Sequence, residues 1–321
     1  MKTAIVVAIA VGAFVMVMCA VLAVVLVLVL NKPSTTGAAA AAAAKPGGGA
    51  GAAAAAAAKP KPAGGGAGGG AKPGAMVPGD WHIEKSWHGG GNNELQEYTK
   101  DAVKFDTNGT MTITMNKQPS LRNKPYTSGK VVGKKGLKTG TITFTAIVPA
   151  GVGIWPALWL LPQNQPALKD GGELGNSNWP MTGEIDVMEI RGNDTNTALH
   201  TIHFGTSPSD ADHRWLPKCW RFDKSLADGN PHTFTAIWDA KRMQMFTDGT
   251  LIFDENITGK FQDSKSEWVP IINLAVGGNF FDSVEGYKLD KIPNTAKLVV
   301  TSVTMSTKVS FKDGTPKPST C

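Results

Sequence analysis

The sequence predicts an all-β fold: one sandwich of about 240 residues, preceded by an apolar N-terminal segment and a simple-sequence spacer. Three observations predict it. Short runs after Asp80 alternate apolar and polar residues with period two. Gly, Asn, Asp and Pro punctuate those runs. No stretch in this region sustains a helical period over three turns. In chain order, Thr110 to Met115 follows Asn108-Gly109 and alternates strictly, and Thr141 to Val148 does the same and stops at Pro149. His232 to Trp238 and Met243 to Phe246 flank a short connection. Asp248-Gly249 then leads directly into Leu251 to Phe253, a hairpin signal, and Leu298 to Met305 is a further β-rich run.

Ahead of the sandwich, residues 4–30 are 27 consecutive uncharged residues dominated by Val, Ala, Leu and Ile. A signal-peptide apolar region runs to about 7–15 residues, whereas a spanning helix needs about 20. The expectation is therefore a membrane-spanning signal anchor over residues 1–31, with the folded region lumenal or extracellular. The alternative is an over-long signal peptide, cleaved to leave a secreted protein. Lys2 and Lys32 flank both ends, so charge sets the orientation only weakly. Residues 32–79 alternate Ala runs with Lys-Pro and triple Gly, a disordered linker with almost nothing to bury. It reads equally as reach or as neutral expansion of simple sequence. The folded domain is expected over residues 80–321.

The net charge of +6 belongs to the tail, because all six excess lysines precede Asp80 and the remainder carries 26 basic against 26 acidic residues. A neutral domain excludes nucleic acid as partner. All nine Trp residues also follow Asp80. Sequons at Asn108, Asn193 and Asn256 fit a domain entering the secretory lumen. Cys219 and Cys321 could pair in an oxidising compartment, but Cys321 is the last residue, where chains fray, and this weighs against the bond.

One run stands apart: Gly183-Glu184-Ile185-Asp186-Val187-Met188-Glu189. Acids are depleted in strands, so three on one strand need a reason. Glu184 and Asp186, two apart, share a face. Glu189 is five from Glu184, and a regular strand would turn it away. A β-bulge at Val187-Met188 would return it to its companions. Three acids on one cleft wall can hydrolyse a glycosidic bond, with one carboxylate as nucleophile and one as proton donor. They could equally hold a cation or form a solvated acidic edge. Trp155 and Trp159 lie upstream, and Trp179 precedes the acids by five residues. Exposed Trp rings suit sugar C–H faces, although Trp is as often a core residue.

From Asp80 to Lys308 the chain resembles the laminarinase-like branch of glycoside hydrolase family 16, the endo-1,3-β-glucanases. The matching segments are Gly91 to Gln96, Tyr126 to Gly129, Trp155 to Pro162, Gly183 to Glu189, His203 to Gly205, Asp248-Gly249 and Asn273 to Gly278. The resemblance implies a jelly-roll, concanavalin A-like β-sandwich with a cleft across its concave sheet, and 1,3-β-glucan as substrate. It implies Glu184 as nucleophile, Glu189 as acid/base and Asp186 as the residue orienting the nucleophile. It further implies that Trp155, Trp159, Trp179, His203 and Asn92 bind substrate. The residue at Met188 is absent from the lichenase and xyloglucan-transglycosylase branches, which favours the 1,3-glucan branch. Two departures stand out: Lys130 where Arg is usual, and Thr301-Ser302-Val303-Thr304 where the family carries Asp, Tyr and Arg. Since that Asp often ligates a structural calcium, no metal is expected, and no cofactor; a monomer is expected. A non-catalytic glucan-recognition protein and a glucan transglycosylase are the competing functions.

Overall fold

The computed structural model describes residues 73–85, 92–120, 122–163, 178–262 and 266–321. The expected anchor and nearly all of the linker lie outside the described residues. Among the described residues, no helix is long and apolar enough to cross a membrane.

Sixteen described strands build two sheets. In chain order they are β1 Trp81–Ile83, β2 Gln96–Tyr98, β3 Val103–Phe105, β4 Met111–Asn116, β5 Tyr126–Ser128 and β6 Lys130–Gly133. There follow β7 Gly140–Ile147, β8 Ile154–Pro162, β9 Glu184–Glu189, β10 Thr197–Phe204 and β11 Arg214–Arg221. The last five are β12 His232–Trp238, β13 Arg242–Thr247, β14 Thr250–Asn256, β15 Trp268–Val276 and β16 Thr295–Ser306. One sheet has the order β1-β6-β15-β8-β9-β10-β11. The other runs β14-β13-β12-β7-β16-β4-β5-β2, with β3 beside β4. The sandwich expected from the alternating runs is present, and each of those runs is a strand.

Alternation sets the core. Met111, Ile113 and Met115 on β4, and Ile142, Phe144 and Ala146 on β7, point inward against Ile154, Leu158 and Leu160 of β8. Each such fully buried large side chain contributes about 1.5–3 kcal/mol. The β13–β14 hairpin turns at Asp248 (φ 48°) and Gly249 (φ 74°), the paired left-handed residues of a two-residue turn that matches strand twist. Packing begins ahead of Asp80, where the sequence reading starts the domain: Met76 is buried in the core and the Gly74 carbonyl accepts from the Val303 N–H. Asn108, Asn193 and Asn256 are all exposed.

The chain end departs from expectation. Cys321 is disulfide-bonded to Cys219 across 102 residues. The segment does not fray because it has partners along its length. The Lys312 N–H and carbonyl both bond the Gln244 side chain, the Lys317 N–H donates to the Leu251 carbonyl, and the Thr320 N–H donates to the Cys219 carbonyl. Val309 and Phe311 also pack on Ile237, Phe246 and Leu251, on the outer side of the second sheet.

Candidate active site

The three acids lie on β9, near the middle of the seven-stranded sheet. Against β8, Asp186 pairs with Trp159 and Met188 with Leu158, so β9 advances two residues while β8 advances one. Against β10, Asp186 pairs with Thr201 and Glu189 with Leu199, three steps against two. The extra residue falls at Val187-Met188, where the odd spacing of the acids requires it. Ile185, Val187 and Met188 go to the core. Glu184, Asp186 and Glu189 come together on the opposite face, near enough for each to act on another's charge. Gly183 admits no side chain at this entry to β9: its φ is 88°, and a Cβ would lie 2.3 Å from the Phe261 ring.

Each acid has its own partner. The Trp179 indole N–H donates to Glu184 Oε2 at 2.9 Å, and the Trp155 N–H donates to Glu189 Oε1 at 3.0 Å. Asp186 Oδ2 lies 3.0 Å from His203 Nε2. Burial raises all three carboxyls, and their mutual repulsion adds to it. Glu189 is pushed up to about 8 by burial and by Asp186, against the opposing pull of His203, Trp155 and Arg191. Asp186 is raised to about 7 by burial and Glu184. Glu184 is raised by burial, but His203 and hydrogen bonds from Trp179 and Asp186 act to hold it down. The environments of Glu184 and Glu189 therefore differ, one receiving more donors to its charged form than the other.

For His203, burial alone would lower the imidazole; the bond to Asp186 and the three carboxylate charges outweigh it and raise the ring to about 9. Its Nδ1 lies 2.7 Å from His213 Nε2. A charged His203 donates from both nitrogens, so His213 accepts through Nε2 and carries its own proton on Nδ1. Glu184, Asp186 and His203 each bring an atom capable of metal ligation within 4.8 Å of one another. A metal there would have to displace the proton that the carboxylates hold on His203.

The three tryptophans are half-buried. One face of Trp155 is covered by Phe280, stacked at 4.3 Å, and the Arg191 guanidinium lies 4.2 Å from the Phe280 ring centre. Trp155 thus fixes the Glu189 carboxylate from a ring that is itself clamped. Trp179 lies over His213 at 4.5 Å. Trp159 sits two strands from β6, its N–H donating to Asn273 Oδ1 at 2.7 Å. Asn92 is exposed; it donates weakly to Glu94 at 3.3 Å, and its carbonyl accepts from the Asn279 N–H.

Behind Trp159 lies a polar layer that the sequence reading missed. Asn273 donates to the Tyr98 hydroxyl at 3.0 Å, Tyr98 donates to Glu94 at 3.3 Å, and Gln96 donates to the same Glu94 oxygen at 2.6 Å. Lys130 Nζ lies 3.2 Å from Glu84 and 5.2 Å from the centre of the Trp159 ring. Lys130 and Glu84 are both buried, so each charge depends on the other. The available signal was the period-two series Glu94, Gln96, Tyr98, which places three polar groups on one face.

With this geometry in place, the chain can be set beside known proteins. A model of glycosyl hydrolases family 16 matches residues 91–269. A glucan endo-1,3-beta-glucosidase of Cryptopygus antarcticus is 31% identical over 224 residues, covering 65% of this chain and 78% of that protein. The catalytic domain LamAcat of Zobellia galactanivorans superposes with a TM-score of 0.60 at 26% identity, covering 73% of this chain and 93% of that one. The laminarinase catalytic domain of Thermotoga maritima gives 0.59 at 26% identity, with 74% and 96% covered.

Proposed function

The chain belongs to glycosyl hydrolase family 16, and from that membership we propose that it cleaves internal linkages of 1,3-β-glucan by a retaining double displacement. The observation that carries this reading is the bulge of β9, which gathers two carboxyls of unlike environment on one face. Glu184, supplied with hydrogen-bond donors, attacks the anomeric carbon as the carboxylate. Glu189, whose proton burial retains to about 8, gives that proton to the departing glycosidic oxygen. The products of this step are a glycosyl ester on Glu184 and a chain with a new free hydroxyl. Water then gives a proton to Glu189 and attacks the anomeric carbon of the ester, the bond from that carbon to the Glu184 oxygen breaks, and the sugar leaves with Glu184 again ionised. Asp186 and His203 orient and polarise the nucleophile, Trp159 and Trp179 offer ring surfaces to the glucan, and the exposed Asn92 side chain offers it a hydrogen bond.

The test is hydrolysis of linear 1,3-, mixed-linkage and 1,6-branched glucans, with the anomer of the first product followed by NMR. The β-anomer is expected first from the linear 1,3-glucan; an α-anomer overturns the double displacement. Followed across pH, the same reaction is expected to lose rate as pH rises through about 8, because the general acid must hold a proton that Glu189 gives up there. Rate is also expected to fall in acid, as Glu184 takes up a proton. An alkaline limb unmoved by Glu189→Gln overturns the assignment of that residue.

We place the domain outside the cytoplasm, held by the apolar run or released from it. The long uncharged segment, three exposed sequons and a disulfide support this. Protease added to intact cells is expected to degrade the domain or find it already in the medium; full protection from protease inside the cytosol contradicts the placement.

A further inference from the structure

We propose that Trp215 is a sugar-stacking platform, an outer subsite for a pyranose ring at the β11 end of the cleft; this rests on the reading of the cleft as a glucan site. β11 is the edge strand of the seven-stranded sheet, and Trp215 pairs directly with His203 of β10. The next residue, Leu216, packs on the core, so alternation sends Trp215 to the face that carries the three acids. There Trp215 is 60% exposed, whereas Trp81, Trp238 and Trp268 are buried. A large aromatic left in water on a cleft face is an unusual use of a Trp, and it costs the apolar burial that a core position would provide.

The ring does not stand alone. His213 lies 5.4 Å from Trp215, 5.0 Å from His203 and 4.5 Å from Trp179, so ring surface runs without a break from the acid-paired imidazole to the sheet edge. The segment before it is braced. The Asp212 carboxylate accepts from the Thr206 N–H, the Thr206 hydroxyl and the Ser207 N–H, and also holds Arg214 at 3.4 Å. With Arg214 paired to Asp212, this end of the cleft offers a neutral aromatic surface, matched by the C–H face of an uncharged sugar rather than by an anion. The occupant is the continuation of the chain whose scissile bond lies over β9.

The measurement is kcat/KM for wild type and Trp215→Ala on laminari-oligosaccharides of increasing length, with calorimetric titration of the longest one. Trp215→Ala is expected to lose about tenfold on chains long enough to reach β11 and nothing on the shortest chain cleaved; Trp215→Phe is expected to restore most of the loss. A loss equal at every length, or none at any length, overturns the proposal. So does a dimer, seen by sedimentation, that disappears in Trp215→Ala, because the ring is then a contact between copies. Absence of turnover by wild type on the longest oligosaccharide would instead sink the hydrolase reading. The titration decides the subsite independently in that case: unchanged affinity in Trp215→Ala overturns it, and a tenfold loss supports it.

Discussion

Glu184→Gln is expected to lose glucan hydrolysis by about 10⁴-fold or more, the scale on which removal of a nucleophile acts, while affinity for the glucan stays within a few-fold of wild type. The amide keeps the shape of the carboxyl, and its oxygen can still accept the Trp179 N–H. What it loses is the negative charge that attacks the anomeric carbon. The fold is expected to hold or gain. Burial and Glu189 both raise the Glu184 carboxyl, so its ionised form works against the folded state at pH above that raised value. Neutralising it removes a like charge from a cluster of three. The variant should therefore unfold no more readily than wild type at neutral pH, a combination that distinguishes a functional acid from a structural one. Reducing-end release, glucan titration and thermal unfolding on one preparation test all three parts. Hydrolysis at more than about a hundredth of the wild-type rate would reassign the nucleophile, since a positioning residue acts at that smaller scale.

The central feature of this site was legible because it breaks a local rule. Glu184 and Asp186 obey period two and Glu189 does not, and a strand that keeps all three on one face has to insert a residue; the register against β8 and β10 shows the insertion. The strands β4 and β7 were equally legible, since each buries every second residue against one core. The polar layer behind Trp159 was not. Glu94, Gln96 and Tyr98 alternate as clearly as any strand, but a polar face reads locally as solvated. Their burial depends on Asn273 and on Lys130 with its partner Glu84, from strands and loops far away in sequence. His213 was hidden for a related reason. It falls between a short turn and β11, where no periodicity assigns it a face, and only the pairing of β10 with β11 carries it to His203. Phe280 likewise reaches Trp155 only because the turn after β15 folds over the end of β8.

The second large effect belongs to the chain end. Cys219→Ser is expected to destabilise the domain by about 4 kcal/mol, because the loop-entropy account assigns a link closing roughly 100 residues about 4.7 kcal/mol, and part of that is returned by the new hydroxyl's bonding. In a domain of this size that corresponds to a fall in Tm on the order of ten degrees. Cys321→Ser should do the same, and the double variant should be no worse than either, since all three remove one link between the same two residues. The hydrogen bonds from Lys312, Lys317 and Thr320, with Val309 and Phe311 packed beside Leu251, supply the competing account. If those contacts alone fixed the tail, Cys321→Ser would shift Tm by only a few degrees, and Phe311→Ala would shift it more. Thermal unfolding of the four variants beside wild type separates the two accounts. The link is expected to dominate, because it acts on the unfolded chain, where none of those contacts exist, whereas each of those hydrogen bonds replaces one that the unfolded chain makes to water.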